Sequence, residues 1–189
     1  GVLDDRTVLA HQVHCGPRDL EILARHDVRI VHNPLANAIL GSGTAPVVEM
    51  LRAGLTVAVS TDGSGSADHQ NILAAARLAS QLQKARLQDA SVLPAWQVLE
   101  MITRIPASIL GMDTGALAPG LRADFVLVDL TPPNLVPTRL DNVVENLVWA
   151  ADGGEICTSL SRAAIASFSR PRSISVPPRR PYTDGIVGS

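Results

Sequence analysis

Short apolar runs alternate with longer segments of helical periodicity along the first 110 residues. The runs at residues 7–11, 28–32 and 55–61 are rich in Val, Ile and Leu and predict three strands. Residues 17–26 and 46–53 each begin with Pro and carry apolar positions on one face, which predicts helices. Strands that alternate with helices usually pair in parallel, so this order predicts an α/β fold.

Three further segments with helical character follow the third predicted strand. They cover residues 71–85, 94–104 and 107–110, and the first is rich in Ala, Leu, Gln and Arg. A closed eightfold barrel takes about 250 residues, which is more than residues 1–112 supply. This region is therefore either a small open sheet or the back part of a larger barrel.

The rest of the chain, residues 113–189, has a different composition. Residues 113–157 begin with a turn-rich stretch and contain an apolar strand at 125–130, which indicates a second structural region. Residues 143–151 fit a helix or a strand equally well. From residue 158 to 189, Arg, Ser and Pro dominate, and this composition predicts a basic, disordered tail.

Composition and charge argue against nucleic acids and membranes as partners. The net charge of −2 and the pI near 6.2 give no reason to expect a nucleic acid or an anionic membrane surface. The apolar runs are shorter than the roughly 20 residues that span a bilayer. Cys15 and Cys157 are too far apart in sequence to indicate a disulfide framework, so we expect a cytoplasmic protein with reduced thiols.

Two predicted strands end on side chains that can bind a metal or move a proton. Asp62 closes the third strand and precedes a loop of Gly and Ser, and His11 closes the first strand. Together they indicate a metal-dependent hydrolytic site at the carboxyl edge of the sheet. The alternatives are a turn-capping role for Asp62 and a structural role for His11. His32 closes the second strand, where it would either hydrogen-bond across the site or belong to the core.

Five motifs stand in order along the chain. They are LAHQVH at 9–14, VHNPLAN at 31–37, LGSGTAPV at 40–47, STDG at 60–63 and ARLASQLQK at 76–84. They resemble the amidohydrolase superfamily, in the branch of methylthioadenosine and S-adenosylhomocysteine deaminases and the related triazine chlorohydrolases. Residues 116–129 resemble the place where the chain of that family leaves its barrel for the small β domain.

The resemblance implies a function and a set of site residues. Residues 1–112 would be the C-terminal part of a TIM-like (β/α)8 metal-dependent hydrolase barrel, and residues 113–157 would be part of the small β domain. Asp62 would bind a zinc or iron ion, His11 would orient and deprotonate the hydrolytic water, and Ser66 would lie near the substrate. The complete enzyme would be a homo-oligomer that deaminates a small N-heterocyclic substrate resembling a purine nucleoside.

The family's other metal ligands have no counterpart in this sequence. A His-x-His pair, a further His and a neighbouring Glu would lie upstream of Gly1. One carboxylate and one imidazole hold a divalent ion weakly, so we expect the chain alone to be inactive. Two alternatives stay open: a truncated relative that only binds or scaffolds, and a complete enzyme that removes chloride instead of an amino group.

Overall fold

Three short parallel strands form the first sheet of the computed structural model, which describes residues 1–161. They are β1 (Val8–Ala10), β2 (Arg29–His32) and β3 (Thr56–Val59), in the order β1-β2-β3. The predicted parallel pairing is confirmed. Each strand is shorter than the sequence predicts, and β3 ends at Val59, so Asp62 lies in the loop three residues after it.

The segments between these strands and directly after β3 contain two predicted helices and two that the sequence analysis missed. Helices α1 (Pro17–Arg25) and α3 (Val47–Arg52) match the prediction closely. Helix α2 (Pro34–Ile39) begins immediately after β2, with its Pro in the first turn. Helix α4 (Ser64–Ala67) is a single turn in the segment that was predicted to be a loop.

Three helices follow in the order the sequence predicts. They are α5 (Ile72–Leu87), α6 (Ala95–Ile102) and α7 (Arg104–Ile109). The Asn71 side chain caps α5 by accepting a hydrogen bond from the Ala74 amide at 3.1 Å. Thr103 separates α6 from α7, which the sequence analysis had divided a few residues later.

The main core lies between the helices and one face of this sheet. Leu9, Ile30 and Val57 are register partners on that face, and Ile30 and Val57 are fully buried. Met50 of α3 and Met101 of α6 pack into the same core. The other face is more open, since Val8 remains 45% exposed. Within residues 1–161, β1 and β3 are both edge strands, so the described part of the chain does not close a barrel.

The last described segment forms a second, antiparallel sheet. Strands β4 (Phe125–Val128) and β5 (Ile156–Leu160) pair, and a 3₁₀ turn (Pro133–Leu135) and helix α8 (Val143–Trp149) lie between them. The open assignment at 143–151 is therefore resolved as a helix. Its residues Val144 and Val148 join the main core, so the segment predicted as a small β domain also packs against the first sheet's helices.

Strand β5 also corrects the predicted start of the basic tail. Residues 158–160 are paired with 125–127 instead of belonging to a disordered segment. The rest of the predicted tail lies outside the described residues.

Within residues 1–161, no helix is both long enough and apolar enough to cross a bilayer. Cys15 is half-buried, Cys157 is exposed, and both are free thiols.

Candidate active site

The ends of β1 and β3 bring His11 and Asp62 together. His11 directly follows β1, and its amide donates to the Val31 carbonyl at 2.9 Å, so strand pairing continues one residue beyond β1. The Ser60 amide donates in the same way to the His32 carbonyl at 2.9 Å. The carboxyl ends of the parallel strands thus lie side by side, and the residues that follow them meet at one edge.

The two side chains face each other at the protein surface. His11 Nε2 lies 3.5 Å from Asp62 Oδ2, and the side chains are 42% and 30% exposed. The other carboxylate oxygen, Oδ1, accepts a hydrogen bond from the Gly63 amide at 2.7 Å. That contact fixes the carboxylate plane and directs Oδ2 towards His11. The structure therefore brings together the two residues that the sequence analysis selected.

Both residues adopt a left-handed backbone conformation. The φ angle is 69° at His11 and 67° at Asp62. His and Asp are among the few residues other than Gly that tolerate this region, at a cost of about 1–3 kcal/mol each. Such angles concentrate at functional sites, and here they turn both side chains towards the same edge of the sheet.

Gln70 fixes the loop that carries Asp62. Its Oε1 accepts a hydrogen bond from Thr61 Oγ1 at 2.9 Å. Its Nε2 donates to the Asp62 carbonyl and to Ser64 Oγ, both at 3.0 Å. The sequence analysis did not select Gln70, because nothing in its local sequence indicates that it contacts residues six to nine positions earlier.

Two buried polar side chains lie behind the pair. Asn37 Oδ1 is 2.8 Å from His11 Nδ1. His32 is only 1% exposed, and neither of its ring nitrogens has a hydrogen-bond partner in the described structure. Burial, with a smaller contribution from the nearby His11, lowers the pKa of His32 to about 4. The predicted option that His32 hydrogen-bonds across the site is therefore wrong, and the ring is a neutral core group.

Ser66 lies in α4, one turn after Asp62. Its hydroxyl donates to the Gly63 carbonyl at 3.1 Å. This bond stabilises the turn, and the expected position of Ser66 near a substrate stays a prediction.

The metal-binding capacity of the described residues is incomplete. Zinc is usually held by about four ligands drawn from Cys, His, Asp and Glu. Asp62 and His11 have the right chemistry, but residues 1–161 contain no cluster of three or more such side chains. These residues can contribute to a metal site but do not form one unaided.

A family model for amidohydrolases matches residues 1–175. The chain belongs to the amidohydrolase family. Among its relatives, a 5-methylthioadenosine/S-adenosylhomocysteine deaminase from Moorella thermoacetica is 40% identical over 167 residues, which is 87% of this chain and 39% of that protein.

Two solved structures of amidohydrolases are similar in fold. An adenosine deaminase from Xanthomonas campestris with bound zinc has a TM-score of 0.80 and 30% identity over 85% of this chain and 37% of its own. An atrazine chlorohydrolase from Arthrobacter aurescens, complexed with zinc, has a TM-score of 0.77 and 30% identity over 84% of this chain and 35% of its own.

The chain spans a little over a third of the length of these relatives. The mixed α/β content that the sequence predicts agrees with their fold. The closed barrel is an inference from the family, since the described strands form an open sheet.

Proposed function

We propose that this chain is the C-terminal part of a metal-dependent aminohydrolase. The reaction would be the hydrolytic removal of an amino group from a purine-nucleoside-like or related N-heterocyclic small molecule. The observation that carries the proposal is the His11–Asp62 pair at the carboxyl edge of the sheet. The identity to the Moorella thermoacetica deaminase supports this substrate class.

The pair fits the proton transfers that such a reaction needs. Water must lose a proton as its oxygen attacks the ring carbon, and the amino group must gain one as it leaves. Asp62 Oδ2 and His11 Nε2 are 3.5 Å apart, so a single water molecule can lie within hydrogen-bond distance of both. Gly63 and Gln70 hold the carboxylate and its loop, which keeps this geometry in place.

The complete protein would hold a zinc ion, which supplies an activated water when bound. Asp62 would be one ligand, and the others would come from the part of the protein that this chain does not include. Iron is the alternative metal. Because the described residues supply too few ligands, the isolated chain would be inactive.

The organisation of the complete protein is part of the same proposal. Residues 1–112 would supply the last strands of a (β/α)8 barrel, and residues 113–157 would belong mainly to a small β domain. The free thiols of Cys15 and Cys157 are consistent with a cytoplasmic location. The complete enzyme would act as a homo-oligomer on a small-molecule substrate, without a nucleic acid or membrane partner.

A chimera tests the proposal. The full 189-residue chain would replace the matching C-terminal part of the Moorella thermoacetica deaminase, and ammonia release from methylthioadenosine would be measured. We expect turnover that Asp62→Asn or His11→Gln lowers by about 10²- to 10⁴-fold. Asp141→Asn, an exposed carboxylate in a turn, is the matched control and should leave the rate unchanged.

Full turnover in the Asp62→Asn chimera, with its zinc content also unchanged, would refute the assignment. A folded chimera that holds zinc and binds methylthioadenosine without turnover would favour a binding or scaffold role.

A second candidate is hydrolytic removal of chloride from a triazine. The likeness to the atrazine chlorohydrolase favours it. The same pair would accept the proton of water, and only the leaving group would differ. Chloride release from a chlorinated triazine, measured in the same chimera with no ammonia release from the nucleoside, would favour this alternative.

A further inference from the structure

The buried side chain of Asn37 contacts the His11 ring. It lies on α2 and is 2% exposed, and its Oδ1 is 2.8 Å from His11 Nδ1. Its own backbone is fixed on both sides, because its amide donates to the Asn33 carbonyl at 3.0 Å and its carbonyl accepts from the Ser42 amide at 2.9 Å. The backbone that carries the side chain is therefore held in place, and burial leaves the amide group little room to move away from the imidazole.

The chemistry of an amide oxygen decides where the imidazole carries its hydrogen. An amide oxygen only accepts hydrogen bonds, so His11 Nδ1 must be the protonated nitrogen. In the neutral ring Nε2 then carries a lone pair, and this nitrogen faces Asp62 Oδ2 at 3.5 Å. That separation is longer than an ordinary N–H···O hydrogen bond, as expected for two acceptors facing each other. A proton donor such as water can bridge them.

Asn37 differs from asparagines whose side-chain hydrogen bonds stabilise the fold. Asn71 uses both ends of its amide, since Oδ1 caps α5 and Nδ2 donates to the Asp152 carbonyl at 2.5 Å. Asn146 donates to the Leu135 carbonyl at 3.1 Å. In the described structure Asn37 Nδ2 is buried without a partner, while Oδ1 contacts the partly exposed His11. An unsatisfied buried donor costs stability, so such a group calls for a functional explanation.

We propose that Asn37 is a positioning residue that holds His11 in the Nδ1–H tautomer, with Nε2 oriented to take a proton from the substrate water. This inference rests on the proposed function, because it assigns a task to the same pair. Asn37 contacts His11 and would affect the reaction only through that residue. Reversal of the Asn37 amide would have the opposite effect, since Nδ2 would donate to Nδ1 and leave Nε2 as the protonated nitrogen.

The test is a spectroscopic measurement on the full chain without metal. Long-range ¹H–¹⁵N correlation spectra at about pH 8.5, where an ordinary imidazole is neutral, distinguish the two tautomers. The His11→Gln variant identifies the His11 signals by their loss. We expect Nδ1–H for the native chain and for Asn37→Asp, which keeps an acceptor oxygen. Asn37→Leu has a similar size but no acceptor, and it should give a mixture of tautomers.

A predominant Nε2–H form in the native chain would overturn the inference. So would an unchanged tautomer in Asn37→Leu, with folding checked by circular dichroism. If Asn37→Leu does not fold, the native chain and Asn37→Asp still decide the question, because both must show Nδ1–H.

Activity provides an independent second measurement. In the chimera, Asn37→Leu should lower kcat by about 10- to 100-fold with little change in KM, and Asn37→Asp should restore part of the rate. An inactive chimera with the expected tautomer would count against the proposed function and leave the positioning role intact. The opposite tautomer in an active chimera would count against the positioning role alone.

Discussion

One buried imidazole, that of His32, should make a large contribution to the acid sensitivity of this protein. His32 is almost completely buried beneath the candidate site, and neither ring nitrogen has a hydrogen-bond partner within residues 1–161. Burial lowers its pKa from 6.5 to about 4, with a smaller contribution from His11. The folded protein therefore keeps the ring neutral at pH values where the unfolded chain protonates it.

The size and sign of the effect follow from proton linkage. Above about pH 6.5 the ring is neutral in both states and adds nothing to the pH dependence. As the pH falls towards 4, only the unfolded chain gains a proton, so the free energy of unfolding decreases. At about 1.4 kcal/mol per pH unit the loss reaches about 3 kcal/mol near pH 4. That is a large share of the roughly 5–15 kcal/mol that stabilises a typical domain.

Urea unfolding between about pH 8 and pH 4 measures this contribution. The variant His32→Leu removes the titrating group and its two unpartnered ring nitrogens, so we expect no loss of stability at pH 8 and a flatter acid slope. His26→Gln changes an exposed histidine and should keep the native slope. Glu49, whose pKa is lowered by its hydrogen bond to Arg86, also loses stabilisation in acid, but equally in every variant.

Parallel stability curves for the native chain and His32→Leu between pH 6.5 and 4 would refute the reasoning. An imidazole signal of His32 that titrates near pH 6.5 in the folded protein would do the same.

Three further predictions concern other parts of the chain. Gly115→Ala should lower the free energy of unfolding, measured in urea, by about 2 kcal/mol more than Gly120→Ala does. Both glycines have left-handed φ angles. A Cβ at Gly115 would lie 2.8 Å from the Thr103 carbonyl oxygen, whereas the space beside Gly120 is open. Equal losses would contradict this explanation. Elemental analysis of the purified chain after zinc exposure and dialysis should find well under one zinc per chain, because the described residues supply too few ligands; a tightly held equivalent would be inconsistent with an incomplete site. Sedimentation velocity should show association that increases with concentration, because within residues 1–161 β1 and β3 each lack a strand partner on one side, and Val8 is exposed. A monomer at all concentrations would argue against it.

Hydrophobic periodicity predicted the strands and helices in which buried residues recur at regular intervals. The three parallel strands and α1, α3 and α5 follow directly from it. Helix α4 was missed because it is a single turn of small residues, and α2 was missed because only Asn33 separates it from β2. Residues 158–160 were assigned to the tail because their Ser and Thr content hid a strand that forms only by pairing with β4.

The site could be predicted only in part, for a related reason. Asp62 and His11 were selected because strand ends are visible in the sequence, and parallel strands bring their ends together. Asn37 is separated from His11 by 26 positions, and its role depends on how α2 packs. Gln70 resembles any exposed polar residue until the loop folds against it. Long-range contacts of this kind leave no local pattern in the sequence.

The left-handed angles at His11 and Asp62 also determine which mutations the two positions can accept. Valine or isoleucine would clash with the backbone there, whereas asparagine or glycine would fit at little conformational cost. In a random library selected for folding alone, asparagine and glycine should therefore be enriched at both positions, before any requirement for catalysis is imposed. Mutational tolerance at this pair would report backbone geometry first and chemistry second.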